Sequence, residues 1–326
     1  MMMNPSVGRA SGKVILLGEH AVVYGVPAIA VGIDRGASAQ ASVGSSDAGG
    51  RQRLRVTTWG AEVDASDETR DLARAFASLL AAAKVTGPIV VEAQADLPPG
   101  GGLGCSAALG VAVARAVIPG ATDEQTLECA MAWERVFHGN PSGVDAAVAT
   151  LGGWVRFEKG QPIETLAVRA PLHFAIGHSG IASSTRSMVE SVARQRDRRP
   201  EQVQKTFDAI ASLVGNARLA IECGDRAALG KFMDLNQMLL SGLMLSTEEI
   251  EKMCRLGRDA GALGAKLTGA GGGGCVVALT ESRSAAEAVC AVWREAGFES
   301  FATETRGAAT GTRVVRFVAS GGASTP

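Results

Sequence analysis

The sequence predicts a protein of mixed α-helices and β-strands, divided into about two domains. A length of 326 residues is enough for about two domains. A hydrophobic content of 46% with 20% charged residues is typical of globular chains and unlike disordered ones. Short apolar runs with strand character alternate with longer segments of helical periodicity along the chain.

In the first half of the chain, apolar runs predict strands and a 3.6-residue period predicts helices. The predicted strands are 13–17, 28–33, 51–58 (at a sheet edge) and 88–97, and the predicted helices are 68–83 and 107–116. Thr122 and Gln125 form a capping box that begins a further helix, which we expect to end at Gly139. Strand-like pieces follow within 151–166.

In the second half, helical patterns dominate to about residue 260 and return at 283–296. The basic run from Arg194 to Arg199 stops at Pro200 and is typical of a solvated helix end. Three segments have strand character: AKLTG (265–269), GCVVALT (274–280) and TRVVRFV (312–318). A domain boundary is predicted near 165–172, around Pro171.

Composition excludes several classes of function. The net charge of −1 gives no basic excess for nucleic acid. No apolar run is long enough to span a membrane, and the first residues lack the apolar core of a signal peptide. The six cysteines are scattered and form no CxxC pair, which indicates a reducing, cytoplasmic environment without a disulfide framework or zinc site.

The segment PPGGGLGCSAALGVAVARA, at 98–116, places a glycine-rich turn, Gly100 to Ser106, directly before a helix. Unpaired backbone N–H groups at a helix N-terminus attract anions, and glycine lets a phosphate approach closely. An ordinary loop-to-helix joint has the same pattern, so both interpretations stand at this point. Ser106 suits either a helix cap or a ligand of phosphate or Mg²⁺, and Cys105 is either a reactive thiol or an inert small side chain.

Charged residues accompany the other glycine clusters. Lys13 begins an apolar strand that ends before Glu19 and His20. Alone, the lysine is typically solvated and the histidine structural, but together the three residues lie where a strand leaves the sheet, a common position for ligands. Glu134 shares a helix face with apolar residues, so it is either buried beside a metal ion or at the rim of that face. Asp145 is surrounded by apolar residues and is either a helix cap or a poised base.

A second glycine cluster lies between two predicted strands. Five glycines occur within residues 269–274, more than a tight turn requires. This excess indicates a second backbone surface close to phosphate.

Three of these segments resemble the motifs of one enzyme superfamily. GEHAVVYG, PPGGGLGCSAA and KLTGAGGGG are similar, in order and spacing, to those of the galactokinase, homoserine kinase, mevalonate kinase and phosphomevalonate kinase superfamily. KVILLGEHAVVYGVPAIA and ERVFHGNPSGVDAAVATLGG are most similar to its members that phosphorylate mevalonate. The resemblance extends from about residue 8 to 280 and implies transfer of the ATP γ-phosphoryl group to the C5 hydroxyl of mevalonate.

The resemblance also implies an α+β fold of two domains with the site between them. The N-terminal kinase domain, 1–168, would contain a left-handed βαβ unit, and the C-terminal kinase domain, 169–326, would be ferredoxin-like. The cofactor implied is Mg²⁺, with ATP as co-substrate, and the family further implies a possible homodimer. No nucleic-acid or membrane partner is expected.

Residue roles follow from the same resemblance. Asp145 is the expected catalytic base, with Lys13 beside it, and Ser106 and Glu134 are the expected Mg²⁺ ligands. The expected ATP-binding residues are Lys13, Gly100, Gly101, Gly102, Leu103, Gly104, Cys105, Ser106, Gly271 and Gly272. The expected substrate-binding residues are Glu19, His20, Asp145 and, on a weaker match, Arg156 and Thr185, which would contact the carboxylate or the phosphates.

Two positions depart from the family pattern. Cys105 stands where a serine commonly precedes Ser106, which removes one hydroxyl contact, and Ser11 stands where a proline often precedes Gly12. The alternatives to a mevalonate-phosphorylating enzyme are another kinase or an ATP-dependent decarboxylase of the superfamily, or a non-catalytic metabolite sensor. A sensor is expected to lose the base or the phosphate loop, whereas the expected groups are all present here.

Overall fold

The computed structural model describes residues 6–43, 50–98, 100–139, 141–168, 170–305 and 314–315. The strands are β1 (Ser6–Leu17), β2 (Ala28–Val43), β3 (Gln52–Val56), β4 (Ala61–Asp64), β5 (Ile89–Ala95), β6 (Trp154–Phe157), β7 (Ile163–Leu166), β8 (His173–His178), β9 (Gly264–Thr268), β10 (Cys275–Thr280), β11 (Glu299–Glu304) and β12 (Val314–Val315). The α-helices are α1 (Asp71–Ala82), α2 (Cys105–Val117), α3 (Asp123–His138), α4 (Val144–Leu151), α5 (Thr185–Arg198), α6 (Pro200–Cys223), α7 (Arg226–Gly242), α8 (Glu248–Asp259) and α9 (Arg283–Glu295).

The first sheet is organised around the long strand β2. The order is β12-β7-β6-β2-β5-β3-β4, and β1 pairs with β2 in antiparallel fashion. The parallel pair β3 and β5 is connected through β4 and α1, which forms a βαβ unit. The register of β1 and β2 shifts between Ser11 and Lys13, and such an irregularity changes the direction of the strand just before Lys13.

A glycine of β1, Gly8, allows helix α2 to pack closely against the strand. A Cβ atom on Gly8 would lie 2.0 Å from the carbonyl oxygen of Ala112 in α2. The alanine-rich sequence of α2 leaves most of the helix buried. This close contact fixes the N-terminus of α2 relative to the strand that carries Lys13.

The second sheet has the order β11-β8-β10-β9. The chain passes through it as β8, a helical segment, β9, β10, α9 and β11, which is the split βαβ arrangement of ferredoxin-like domains. All of its pairings are antiparallel. The predicted two-domain α+β class, with its βαβ unit and ferredoxin-like second half, is therefore confirmed.

Most predicted elements are present, including the capping box of Thr122 and Gln125 and a helix that starts at Pro200. The edge position of strand 51–58 was wrong, because the short strand β4 pairs outside it. The predictions missed β4, β8 and β11. Of the predicted strand at 312–318, residues 314–315 form β12, and the others lie outside the described residues.

The two sheets contact each other where the end of β9 lies against β1. Thr268 at the end of β9 bonds to β1: its Oγ1 accepts from the Ile15 amide at 2.9 Å and donates to the Ile15 carbonyl at 3.2 Å. The segment Val314–Val315 pairs with β7, so the chain returns to the first sheet after β11. The boundary between 168 and 169 stays a prediction. No helix of the described residues combines the length and apolar character that a membrane crossing requires.

Candidate active site

The glycine-rich turn before α2 has the backbone conformation that its composition predicts. Gly100, Gly102 and Gly104 have φ values of 73°, 75° and 70°, in the left-handed region that favours glycine. Gly104 is the N-cap of α2 and supplies no side chain, and the first helical bond runs from the Ala108 amide to the Gly104 carbonyl at 2.9 Å. The amides of the first turn therefore have no partner within the helix and can receive an anion.

The second glycine cluster lies directly against this turn. A Cβ atom on Gly102 would lie 2.8 Å from the Thr268 carbonyl oxygen, so the two backbones are in contact. Gly271 contributes to a cavity of about 120 Å³ that the residues of the Gly100–Ser106 turn also line. Gly272 does not line it, and its amide donates to the Leu245 carbonyl at 2.7 Å. Gly273 and Gly274, which belong to the predicted glycine cluster but not to the expected ATP-binding residues, do line it.

Ser106 and Glu134 are brought together across the α2–α3 interface. The Ser106 hydroxyl donates to Glu134 Oε1 at 2.5 Å. The hydroxyl therefore does not cap α2, and Glu134 is 3% exposed rather than at the rim of its helix face. Burial raises the pKa of Glu134 to about 7, a rise that the Ser106 hydrogen bond opposes.

Lys13 and Asp145 form an ion pair at the edge of the same cavity. Lys13 Nζ lies 2.9 Å from Asp145 Oδ1 and donates to the Gly102 carbonyl at 3.0 Å. The Lys13 side chain is 3% exposed, whereas that of Asp145 is 36% exposed and lines the cavity. Gly143, with φ of 94°, is the N-cap of α4, so Asp145 lies in the first turn and is not the cap.

Glu19 and His20 are both buried and hydrogen-bonded within the protein. The Glu19 side chain is fully buried, paired with Lys266 Nζ, and its Oε2 accepts from Asn236 Nδ2 at 3.0 Å. His20 donates through Nε2 to the Ala270 carbonyl at 2.7 Å, and burial lowers its pKa. Neither residue lines the cavity, and a role of either in binding substrate stays a prediction.

Arg156 and Thr185, the two weaker predictions, lie in different surroundings. Arg156 lies in an ion-pair network, 2.7 Å from Glu158 and 3.4 Å from Glu164, and lines neither cavity of the site. Thr185, the first residue of α5, lines the cavity with the glycine loops. It also lines an adjoining cavity of about 290 Å³, which has an apolar wall that includes Val23 and Val189.

His138 is a site residue that the sequence analysis missed. Its Nε2 lies 3.6 Å from Glu134 Oε2, and the side chain lines both cavities. Burial lowers the pKa of His138, an effect that the nearby Asp145 carboxylate opposes. The signal was present, since His138 follows Glu134 by four residues on one helix face.

The surroundings of Cys105 favour the inert alternative over the reactive one. Its side chain is buried, and its Sγ lies 3.6 Å from the Leu97 carbonyl oxygen. Burial raises the pKa of its thiol to about 11, in spite of its place at a helix N-terminus.

Comparisons with known proteins identify the family of this chain. Two family profiles match the chain, "GHMP kinases N terminal domain" over residues 71–153 and "GHMP kinases C terminal" over 213–299. A mevalonate kinase of Thermococcus sibiricus is 33% identical over 303 residues, which are 85% of this chain and 90% of that protein. A mevalonate kinase of Aeropyrum pernix is 35% identical over 291 residues, 85% of this chain and 89% of its own length.

Solved structures show the same relationship. The crystal structure of L. major mevalonate kinase in complex with R-mevalonate superposes with a TM-score of 0.81 at 28% identity, covering 95% of this chain and 98% of that one. The Methanococcus jannaschii mevalonate kinase superposes with a TM-score of 0.80 at 22% identity, over 93% and 99% of the two chains, and supports the fold alone. From these matches and its site, the chain belongs to the GHMP kinases and, within them, to the mevalonate kinases.

Proposed function

We propose that this chain transfers the γ-phosphoryl group of ATP to the C5 hydroxyl of mevalonate, giving 5-phosphomevalonate and ADP. The observation that carries the proposal is the Lys13–Asp145 pair, which lies beside a glycine-lined cavity at a helix N-terminus. The anion-binding turn suits the phosphates of ATP, and the adjoining cavity of about 290 Å³ offers room for a small acceptor.

Asp145 takes the proton from the attacking hydroxyl. Its carboxylate is accessible from both cavities, and its Oδ1 is held by Lys13. A base in this position contributes roughly 10²–10⁴-fold to the rate. Lys13 is anchored on the Gly102 carbonyl, so its charge is fixed where the alkoxide and the transferred group become negative.

The donor set at Ser106 and Glu134 fits Mg²⁺. Hydroxyl and carboxylate oxygens are ligands that this ion prefers, and Mg²⁺ in phosphoryl-transfer enzymes completes its shell with phosphate oxygens and water. Once bound, Mg²⁺ would neutralise charge on the β- and γ-phosphates.

The remaining side chains position the acceptor. The apolar wall with Val23 and Val189 suits the methyl-bearing carbon skeleton of mevalonate, and Thr185 contributes a hydroxyl at the junction of the two cavities. No observation favours a decarboxylase or a non-catalytic sensor over this assignment. A homodimer and a cytoplasmic location stay predictions.

An ADP-release assay with ATP and Mg²⁺ tests the function. The acceptors are mevalonate, 5-phosphomevalonate, 5-diphosphomevalonate, galactose and homoserine, and phosphorus NMR locates the new phosphate. We expect turnover on mevalonate alone, with phosphate on C5. Turnover on another acceptor contradicts the substrate assignment. ATP binding without turnover on any acceptor contradicts the assignment of the chain as an enzyme.

A further inference from the structure

Trp133, the residue before Glu134 on α3, contacts the other expected metal ligand. The Trp133 indole Nε1 donates to Ser106 Oγ at 3.1 Å, and the Ser106 hydroxyl in turn donates to Glu134 Oε1. The Trp133 side chain is fully buried. One helix thus supplies two contacts to the same hydroxyl.

These two contacts determine the orientation of the Ser106 hydroxyl. A serine hydroxyl has one hydrogen and two acceptor lone pairs, and it rotates freely when it has no partners. Here the hydrogen is directed to Glu134 and one lone pair is occupied by the indole N–H of Trp133. One lone pair remains, on a hydroxyl that lines the cavity.

The position of the indole depends on a glycine of α2. Gly110 follows Ser106 by four residues and therefore lies on the same helix face. A Cβ atom on Gly110 would lie 2.9 Å from Cδ1 and Cγ of Trp133, so the ring lies against bare backbone. The contact to Ser106 therefore requires both the indole on α3 and the missing side chain on α2.

Other buried indoles of the protein make no such contact. Trp293 Nε1 donates to the Met253 carbonyl at 2.9 Å, inside the second domain. Trp154 Nε1 is buried with no hydrogen-bond partner among the described residues. Trp154 therefore provides a matched control for removal of an indole N–H.

We propose that Trp133 is a positioning residue whose indole N–H fixes the Ser106 hydroxyl for the divalent cation that binds with the nucleotide. The inference rests on the proposed function, because it assumes the metal site at Ser106 and Glu134. Trp133 touches neither substrate nor nucleotide in this scheme and acts through Ser106 alone.

Calorimetric binding of ADP with and without Mg²⁺ tests the proposal without any turnover. In Trp133→Phe, which keeps an aromatic ring and loses the N–H, we expect the gain in ADP affinity caused by Mg²⁺ to fall roughly threefold to tenfold, the effect of one hydrogen bond. The affinity for ADP without Mg²⁺ should stay unchanged. Trp154→Phe should leave both affinities at the wild-type values.

A second variant and a further control complete the test. Gly110→Ala keeps the indole but displaces it, and should reduce the same Mg²⁺-dependent gain in ADP affinity. This variant keeps the proposal testable if the Trp133→Phe protein folds poorly. Ser106→Ala must abolish most of the gain; if it does not, the metal site of the proposed function is wrong. If Ser106→Ala reduces the gain while Trp133→Phe behaves like Trp154→Phe, the positioning role of Trp133 is overturned and the metal site stands.

Discussion

Two lysine–carboxylate pairs of this protein look alike in chemistry and differ in surroundings. Lys13 and Asp145 lie 2.9 Å apart, and a third of the Asp145 side chain is exposed to the active-site cavity. Lys266 and Glu19 are in contact with both side chains fully buried, and Asn236 satisfies the second carboxylate oxygen. An acid that reaches a cavity can exchange protons with a substrate, whereas an enclosed acid can only hold its partner.

The enclosed pair connects the two halves of the molecule. Glu19 follows β1, while Lys266 lies on β9 and also donates to the Leu267 carbonyl at 2.5 Å. Burial lowers the pKa of Lys266, and Glu19 opposes that effect. Removing one charge from such a pair leaves the other buried and unpaired, which costs far more than the pair contributes.

The largest expected effect concerns the accessible pair. In Asp145→Asn we expect kcat to fall by roughly 10²–10⁴-fold, because the amide cannot accept the hydroxyl proton. ATP affinity should change little, and the thermal midpoint should fall less than in a Glu19 variant, because Asp145 is partly exposed although Lys13 is buried. The ADP-release assay and a thermal melt measure the two quantities.

Asp259→Asn is the matched control, because Asp259 is an exposed acid that lines neither cavity of the site. It should retain turnover close to wild type. An Asp145→Asn protein with turnover within a few-fold of wild type contradicts the role of base. One that loses stability as strongly as a Glu19 variant would show that both pairs are structural.

The next largest effect concerns the enclosed pair. In Glu19→Gln we expect the free energy of unfolding to fall by roughly 3–5 kcal/mol, because the Lys266 ammonium keeps its burial and loses its counter-charge. Urea unfolding at neutral pH measures the change. Mevalonate affinity, measured where the variant is still folded, should stay close to wild type.

The double variant Glu19→Gln with Lys266→Met separates charge from packing. It removes both charges and should recover most of the lost stability. A loss below about 1 kcal/mol in Glu19→Gln contradicts the structural role. Full stability with mevalonate binding abolished would instead support the substrate role that the sequence predicts.

The contrast also shows what the sequence could and could not predict. Lys13, Ser106, Glu134 and Asp145 were selected from local patterns and are brought together by the fold. The partner of Glu19 lies 247 residues away in sequence, so no local pattern could indicate that its carboxylate is occupied.

The missed elements of the fold have a related cause. Strand β4 is four residues long, too short for a reliable period, and β11 alternates weakly because only one of its six residues is buried. The well-predicted elements, such as α3 with its capping box, carry their signals in adjacent residues.

The smallest expected effect sharpens the comparison with a third buried acid, Glu134, which contacts a hydroxyl where Glu19 contacts an ammonium. Burial raises the pKa of Glu134 from 4.5 to about 7, so the folded state binds its proton more tightly than the unfolded state. The group therefore costs nothing in stability below the unfolded pKa, and its cost grows as pH rises towards the folded pKa. The full cost above pH 8 is about 3 kcal/mol.

Glu134→Gln keeps the shape of the side chain without its charge. Its free energy of unfolding relative to wild type should therefore be level below pH 4, rise between pH 4.5 and 7, and level off above pH 8. Urea unfolding of both proteins across this range, without metal or nucleotide, measures the difference. A difference independent of pH would mean that folding leaves the pKa of Glu134 unshifted, and a difference that falls as pH rises would mean that the ionised carboxylate has a cation partner in the folded protein, as Glu19 does.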